Sequence, residues 1–473
     1  MSQNQQCDPT QQADIDAAES CADHASLMHS LEEKLIIAIC DAHMAKHDYR
    51  IEGDHYLYSP INPPMVPKYV SRPSNDGKGG GVFTKFGDPQ EKELFVQDFN
   101  KYRSRISGIL SKYYSLPTGE DMRNGRTTLE DWAKKLDPDE TKNTAGLPKE
   151  IRDVERELET QESDTINYVK NHMIGKILPA VATLHEATLG SLSLMDKNIQ
   201  SIKIMRHDTR AAIQAAIDTA NAMAQNPFYA EFKVVLKALS FFENIGKILK
   251  GSADAAVSTV EDIESWVETV ENNTIVSGMH FSPDDILNAL ESTLTSANNN
   301  LKDAENSIVA LFNSMQLSLQ QLYSTGTITI DQSNPPKDHI KSTSQVTLDW
   351  TKISRVYNSD LNDITTTLTT TRLDAYKIRY TTALSRLPSI GRGQGGSDTG
   401  FFCVLNTIQD SLKRLAESCE GIAQGLKDFE TDIKSTETES QESLDNIAHT
   451  IQRYSVTKPE FRQEQVDQPP QKK

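Results

Sequence analysis

The sequence predicts an all-α protein: an elongated antiparallel coiled-coil helical bundle with a small apolar helical head. Three observations predict it. Apolar residues recur at alternating steps of three and four over long stretches, the signature of a helix seam. The 23 glycines and 19 prolines of the 473 residues gather into a few breaks instead of being dispersed. Apolar content is a modest 37% against 25% charged, as on thin helices with much exposed surface.

The first helix is expected over about residues 13–48, with Leu27, Leu31, Leu35 and Ile39 at one-turn spacing. Residues 56–88 carry Pro60, Pro63, Pro64, Pro67, Pro73 and the run Gly79, Gly80, Gly81, and read as a linker. Asp88 then caps a helix with Pro89 at its first position and Glu91 completing a capping box. Its apolar stripe is Leu94, Phe95, Phe99, Tyr102, Ile106 and Leu110. A short helix near Thr127 bears Leu129 and Trp132, and an acidic loop follows it.

Residues 149–225 read as helix with two weak points, Pro179 and Gly190. Residues 228–276 differ. Val234, Val235, Leu236, Leu239, Phe241, Phe242, Ile245, Ile248 and Leu249 crowd a few turns, and Val257, Val260, Ile263, Trp266 and Val270 follow. This predicts an apolar helical hairpin turning near Gly251, with Gly246 as a second interruption. Lys233, Lys237, Glu243, Lys247 and Lys250 make it amphipathic, as suits an interfacial helix; the competing reading is a buried helix that caps the bundle.

Ser282-Pro283-Asp284-Asp285 is the clearest helix start in the chain. Leu287, Leu290, Leu294, Ala297, Leu301, Ala304, Ile308, Leu311, Met315, Ser318 and Leu322 form the seam behind it. Thr327–Ile330 reads as a short strand. A helix over about 337–387 has a seam (Trp350, Ile353, Tyr357, Leu361, Ile364, Leu368, Ala375, Ile378) containing one break in heptad phase. A flexible loop at 391–400 leads to the last seam, Leu405, Ile408, Leu412, Leu415, Cys419, Ile422, Leu426, Phe429 and Ile433. The domains are therefore an N-terminal helix (1–55), a linker (56–88), bundle helices (89–227), the head (228–276), long coiled-coil helices (277–454) and a disordered polar tail (455–473).

Function classes narrow by exclusion. Acidic residues outnumber basic ones 67 to 49, a net charge of −18, with no basic stripe, which argues against a nucleic-acid partner. Five cysteines are too few for a disulfide scaffold. The polar start MSQNQQCDPTQQAD lacks the form of a secretory signal, and no run reaches the length of a membrane span. The expectation is a protein made soluble, then released to act on a target membrane or kept in the cytoplasm.

Gly391, Gly393 and Gly396 match GxGxxG but lie between helices, so they read as a linker. His185-Glu186 starts an HExxH pattern that ends at Leu189. Cys40, His43 and His47 share a helix face, with His24, His29, Asp48, Asp54 and His55 nearby. Zinc needs three or four converging ligands, and the group reads instead as surface histidines. No catalytic, cofactor or metal residue is assigned, and an enzyme is not expected.

Long helices embracing an apolar hairpin resemble the α-helical pore-forming toxins of the cytolysin A, haemolysin BL and xenorhabdolysin type. The resemblance covers about residues 90–385. It rests on the hairpin, on Lys101–Thr118 (KYRSRISGILSKYYSLPT), similar to an opening xenorhabdolysin helix, and on Trp350-Thr351-Lys352-Ile353. The seam at Leu405–Ile451 has no obvious counterpart there. The resemblance implies a soluble form that meets a lipid membrane and assembles, by self-association or with a second helical subunit, as Pro179, Gly190, Gly246 and Gly251 act as hinges. A second resemblance, of Ser435–Ser440 to the closing helix of type VII secretion substrates, lacks that family's Trp-x-Gly turn. The alternative function is a coiled-coil interaction or scaffold protein, or a type VII-like secretion substrate, without membrane insertion.

Overall fold

In the computed structural model the described residues are 24–58, 68–73, 89–117, 122–139, 146–226, 232–235, 274–277, 282–324, 348–374, 378, 384–393 and 395–435. Among them the chain is predominantly helical. The helices are α1 (His24–Lys46), α2 (Pro89–Leu110), α3 (Arg123–Leu136), α4 (Leu147–Glu159), α5 (Asp164–Tyr168), α6 (Gly175–Gln225), α7 (Pro283–Ser324), α8 (Trp350–Arg355), α9 (Leu361–Leu373) and α10 (Asp398–Ser435). The strands are β1 (Arg50–Glu52), β2 (His55–Tyr58), β3 (Lys68–Ser71), β4 (Phe232–Val235) and β5 (Thr274–Ser277). Two compact units result. One comprises Met1–Glu130, Leu189–Leu317 and Tyr376–Leu405; the other comprises Asp131–Thr188, Ser318–Ala375 and Asn406–Lys473.

In the first unit α1 buries Met28, Leu31, Leu35 and Ile39 against Phe99, Tyr102 and Ile106 of α2. Ile213, Ala216 and Ala220 of α6 and Leu287, Leu290 and Leu294 of α7 complete the same cluster. Helix α1 ends in a Schellman turn. Tyr49 N–H donates to the Met44 carbonyl and Asp48 N–H to that of Ala45, with Asp48 in the left-handed region at φ 65.

The residues expected as helix end and linker form a three-stranded antiparallel sheet in the order β1-β2-β3. Glu52 pairs with His55 across a two-residue Gly53-Asp54 turn in which Gly53 takes φ 61. That is the glycine-first hairpin turn whose twist matches paired strands. His55 to Tyr58 then pairs with Ser71 to Lys68.

Helix α7 starts as expected. The Ser282 hydroxyl accepts from Asp285 N–H at 3.2 Å, and Ser282 N–H donates to the Asp285 carboxylate at 2.8 Å. Its seam from Leu287 to Met315 is buried. Past Met315 the buried position is Leu319, while Ser318 and Leu322 are only half-buried.

In the second unit Trp132, Ile151, Val154, Leu158, Ile353, Ile364 and Leu368 are buried, as are the α10 residues Ile408, Leu412, Leu415, Cys419, Ile422, Leu426 and Phe429. The described seams are thus covered within one chain. Helix α8 begins at Trp350, where the Asp349 carboxylate accepts from Thr351 N–H at 3.0 Å. The expected phase break is a π-helical turn, Val356–Asp360, which spaces buried Val356 and Leu361 by five residues. Helix α9 ends at Leu373, and of the residues expected to carry it on to 387, the described ones at 378 and 384–387 are not helical. The expected run 149–225 is also interrupted: after α4, Ser163 caps α5 by accepting from Ile166 N–H at 3.1 Å. Thr327–Ile330 and the tail lie outside the described residues.

Candidate functional site

The apolar segment is framed by a strand pair. Phe232 pairs with Ser277, Lys233 with Val276, Val234 with Ile275 and Val235 with Thr274, antiparallel. Val235 and Thr274, the last pair of the ladder, therefore lie side by side, because opposed Cα atoms in such a pair are about 4.5–5.5 Å apart. In the chain this clasp lies between α6 and α7, the two longest helices described.

The helical reading of the segment fails at Val234 and Val235, which are extended. The physical reason is legible: Val234-Val235 and Thr274-Ile275-Val276 are β-branched runs, which favour the strand over the helix. Leu236, Leu239, Phe241, Phe242, Ile245, Gly246, Ile248, Leu249 and Gly251 lie outside the described residues. Among the described residues no helix is long and apolar enough to cross a membrane.

The other two expected hinges lie inside α6, which runs unbroken through both. Just before it, Val169–Ile174 form a π-helical turn ending at Gly175, the residue whose carbonyl a proline at 179 would crowd. At Gly190 an added Cβ would meet Met315 Cε at 2.5 Å. This glycine permits close packing of α6 on α7 and does not interrupt the helix.

The histidine-rich face divides among several partners. Cys40 is buried in the apolar core, and burial pushes its thiol far above the ordinary range. Contrary to the surface reading, His24 and His43 are buried. The His24 ring contacts the Tyr113 carbonyl at 3.0 Å, while the His29 ring lies tilted against Tyr114 with centroids 4.7 Å apart. His43 faces Asp98 of α2, its Nε2 3.3 Å from Oδ2. Among the described residues no group of three or more His, Cys, Asp or Glu could hold a metal ion. Next door, buried Asp41 ties α1 to the sheet: it accepts from Tyr56 Oη at 2.7 Å and from Arg72 Nε at 2.8 Å.

The glycine loop before α10 is the most elaborately built polar element of the first unit. Gly391, Gly393 and Gly396 take φ of 56, 99 and 57. They let the backbone wrap the carboxylate of Glu305, which pairs with Arg386; both side chains are 0% exposed. Arg392 N–H donates to Glu305 Oε2 at 2.8 Å, and Arg386 Nε donates to the Ile390 carbonyl at 3.1 Å. Asn298 accepts from Gly391 N–H at 2.8 Å, and Asn198 of α6 donates to Ser397 Oγ at 2.7 Å. Burial pushes the Glu305 carboxyl above its usual range, with Arg386 pulling the other way. The loop expected to be flexible is thus an anchored wrap. The glycine spacing was the only sequence signal, and nothing in it pointed to Glu305 or Arg386.

No protein-family model, curated protein or solved structure matches the chain.

Proposed function

We propose that this chain is a non-enzymatic helical protein that perturbs or perforates membranes by inserting the apolar segment between β4 and β5 after oligomerising. The supporting observation is the clasp: it pairs Val235 with Thr274, the two residues that flank the sequence 236–273 with its Leu239, Phe241, Phe242, Ile245, Ile248 and Leu249, so one local rearrangement can deliver that segment as a unit. The partners implied are a lipid surface and further helical subunits, either copies of this chain or a second component. The scaffold alternative needs a hydrophobic seam open to a partner helix. The described seams of α7 and α10 are filled by the chain itself, and this favours the membrane reading.

The test is release of dye from loaded liposomes by the purified protein, compared with the Phe241→Asp/Phe242→Asp variant. Release and vesicle flotation by the native chain, both lost in a variant of unchanged helical content, are expected. No release and no flotation by the native chain, alone or with a second helical component, would favour the scaffold; an unfolded variant would make the pair core residues.

A further inference from the structure

His43 lies in the last turn of α1 at the contact with α2. Its ring packs against Phe95, Phe99 and Tyr102, with centroids 6.1, 6.4 and 5.4 Å away. The ring of His47, one turn on and exposed, is 4.7 Å away. Tyr102 Oη is 3.2 Å from His43 Nδ1, and Asp98 Oδ2 is 3.3 Å from Nε2. The start of α7 adds Asp284, which is held by Arg105 at 2.7 Å and Lys101 at 3.6 Å. Cys40 is one turn earlier, and Asp41 is turned to Tyr56 and Arg72.

Neutral His43 suits these neighbours: Nε2–H faces the Asp98 carboxylate while Nδ1 accepts from the Tyr102 hydroxyl. A second proton goes to Nδ1. The Tyr102 O–H must then turn away and offer its oxygen. The His47 ring in contact with His43 then opposes its cationic form, beneath a wall of aromatic edges. Asp98 and Asp284 offset part of that, yet Asp284 is already shared between two cations.

We propose that the His43–His47 pair makes the α1–α2 contact acid-sensitive: proton uptake there loosens α1 from α2. The inference concerns this contact alone and stands whether or not the apolar segment enters a bilayer. Burial, then the neighbouring His47, hold the His43 pKa below the ordinary imidazole value, against Asp98 and Asp284. Such a histidine binds fewer protons folded than unfolded. Its contribution is whole above about pH 6.5 and is lost as pH falls through the lowered native value.

The test is hydrogen exchange of the α1 segment in the full chain from pH 7.5 to 5, corrected for intrinsic rates. One proton allows the opening of α1 to rise by up to about tenfold per pH unit below about pH 6.5. His43→Gln should flatten this rise. His47→Gln should make it shallower by removing the repelling ring. Asp98→Asn should make it steeper by removing the attraction that offsets protonation. A packing role would change exchange equally at every pH and leave the slopes alone. His24 and His29 on the same helix are unchanged in every variant, so they cancel in the comparison. Equal slopes in the native chain and His43→Gln would overturn the inference. If His43→Gln does not fold, the opposed directions of the other two variants decide it, and slopes that move together refute it.

Discussion

Replacing Arg386 by Met tests whether the glycine loop is anchored by a buried charge pair. Methionine keeps most of the chain volume and removes the guanidinium. Glu305 then keeps only the Arg392 N–H as an observed hydrogen-bond donor, in a site with no exposure. Breaking a fully buried ion pair from one side costs about 3–5 kcal/mol. At 1.4 kcal/mol per decade this is about two to three and a half orders of magnitude in the local opening equilibrium. The readout is hydrogen exchange at pH 7 of the segment 387–401, where Gly391, Arg392, Gly393 and Gly396 all have bonded amides.

Adding Glu305→Leu should restore much of the protection. What remains lost is one Arg392 amide without its acceptor, worth about 1–3 kcal/mol. The deficit of Arg386→Met should also shrink as pH falls. A buried carboxyl with a raised pKa binds more protons folded than unfolded, so its stability is present below about pH 4.3 and is lost as pH rises through the native value. Removing Arg386 takes away an opposing pull and enlarges that loss at neutral pH. A change below about fivefold in Arg386→Met, or a double variant opening more than the single one, would mean that the buried pair does not anchor the loop.

Two further outcomes follow from local geometry. Gly396→Ala should cost about 2–3 kcal/mol, from a left-handed φ of 57 and a Cβ 2.8 Å from Glu305 Oε1, whereas Gly190→Ala should lie within about 1 kcal/mol of neutral, because only the mobile Met315 methyl must move; a ranking of thermal midpoints in which Gly190→Ala is the worse of the two would show that the contacts are misjudged. Asp41→Ala should cost about 2–4 kcal/mol by leaving the buried Tyr56 hydroxyl and Arg72 without their acceptor, and should make the β1–β3 region the first site of limited proteolysis; an unchanged cleavage pattern would separate that cluster from the stability of the sheet.

The helices were legible because their signals are local. Ser282-Pro283 opens a helix by satisfying its first amides, and Leu287 to Met315 repeat with the period of a seam, whatever lies opposite. The phase break near Tyr357 was also readable, and it marks a π turn. Two misreadings were local too: Gly53-Asp54 between short apolar runs, and the valine pairs at 234–235, are strand signals that the helical pattern around them obscured.

Other features depended on contacts between residues far apart in sequence. His43 and Asp98, Asp41 and Arg72, and Glu305 and Arg386 meet only once the helices pack. No spacing rule reports such pairs, since each partner alone looks like an ordinary surface charge. Gly391, Gly393 and Gly396 likewise read as slack chain. Glycine permits left-handed backbone in a tether and in a tight wrap alike, and only the buried carboxylate at the centre of the loop makes it the latter. Helix period and capping act over a few residues, so the repeat from Leu287 to Met315 was enough to define that helix and its inward face. Tertiary structure alone decided where buried charge is paired, because the cost of burying it depends on what the rest of the fold brings alongside.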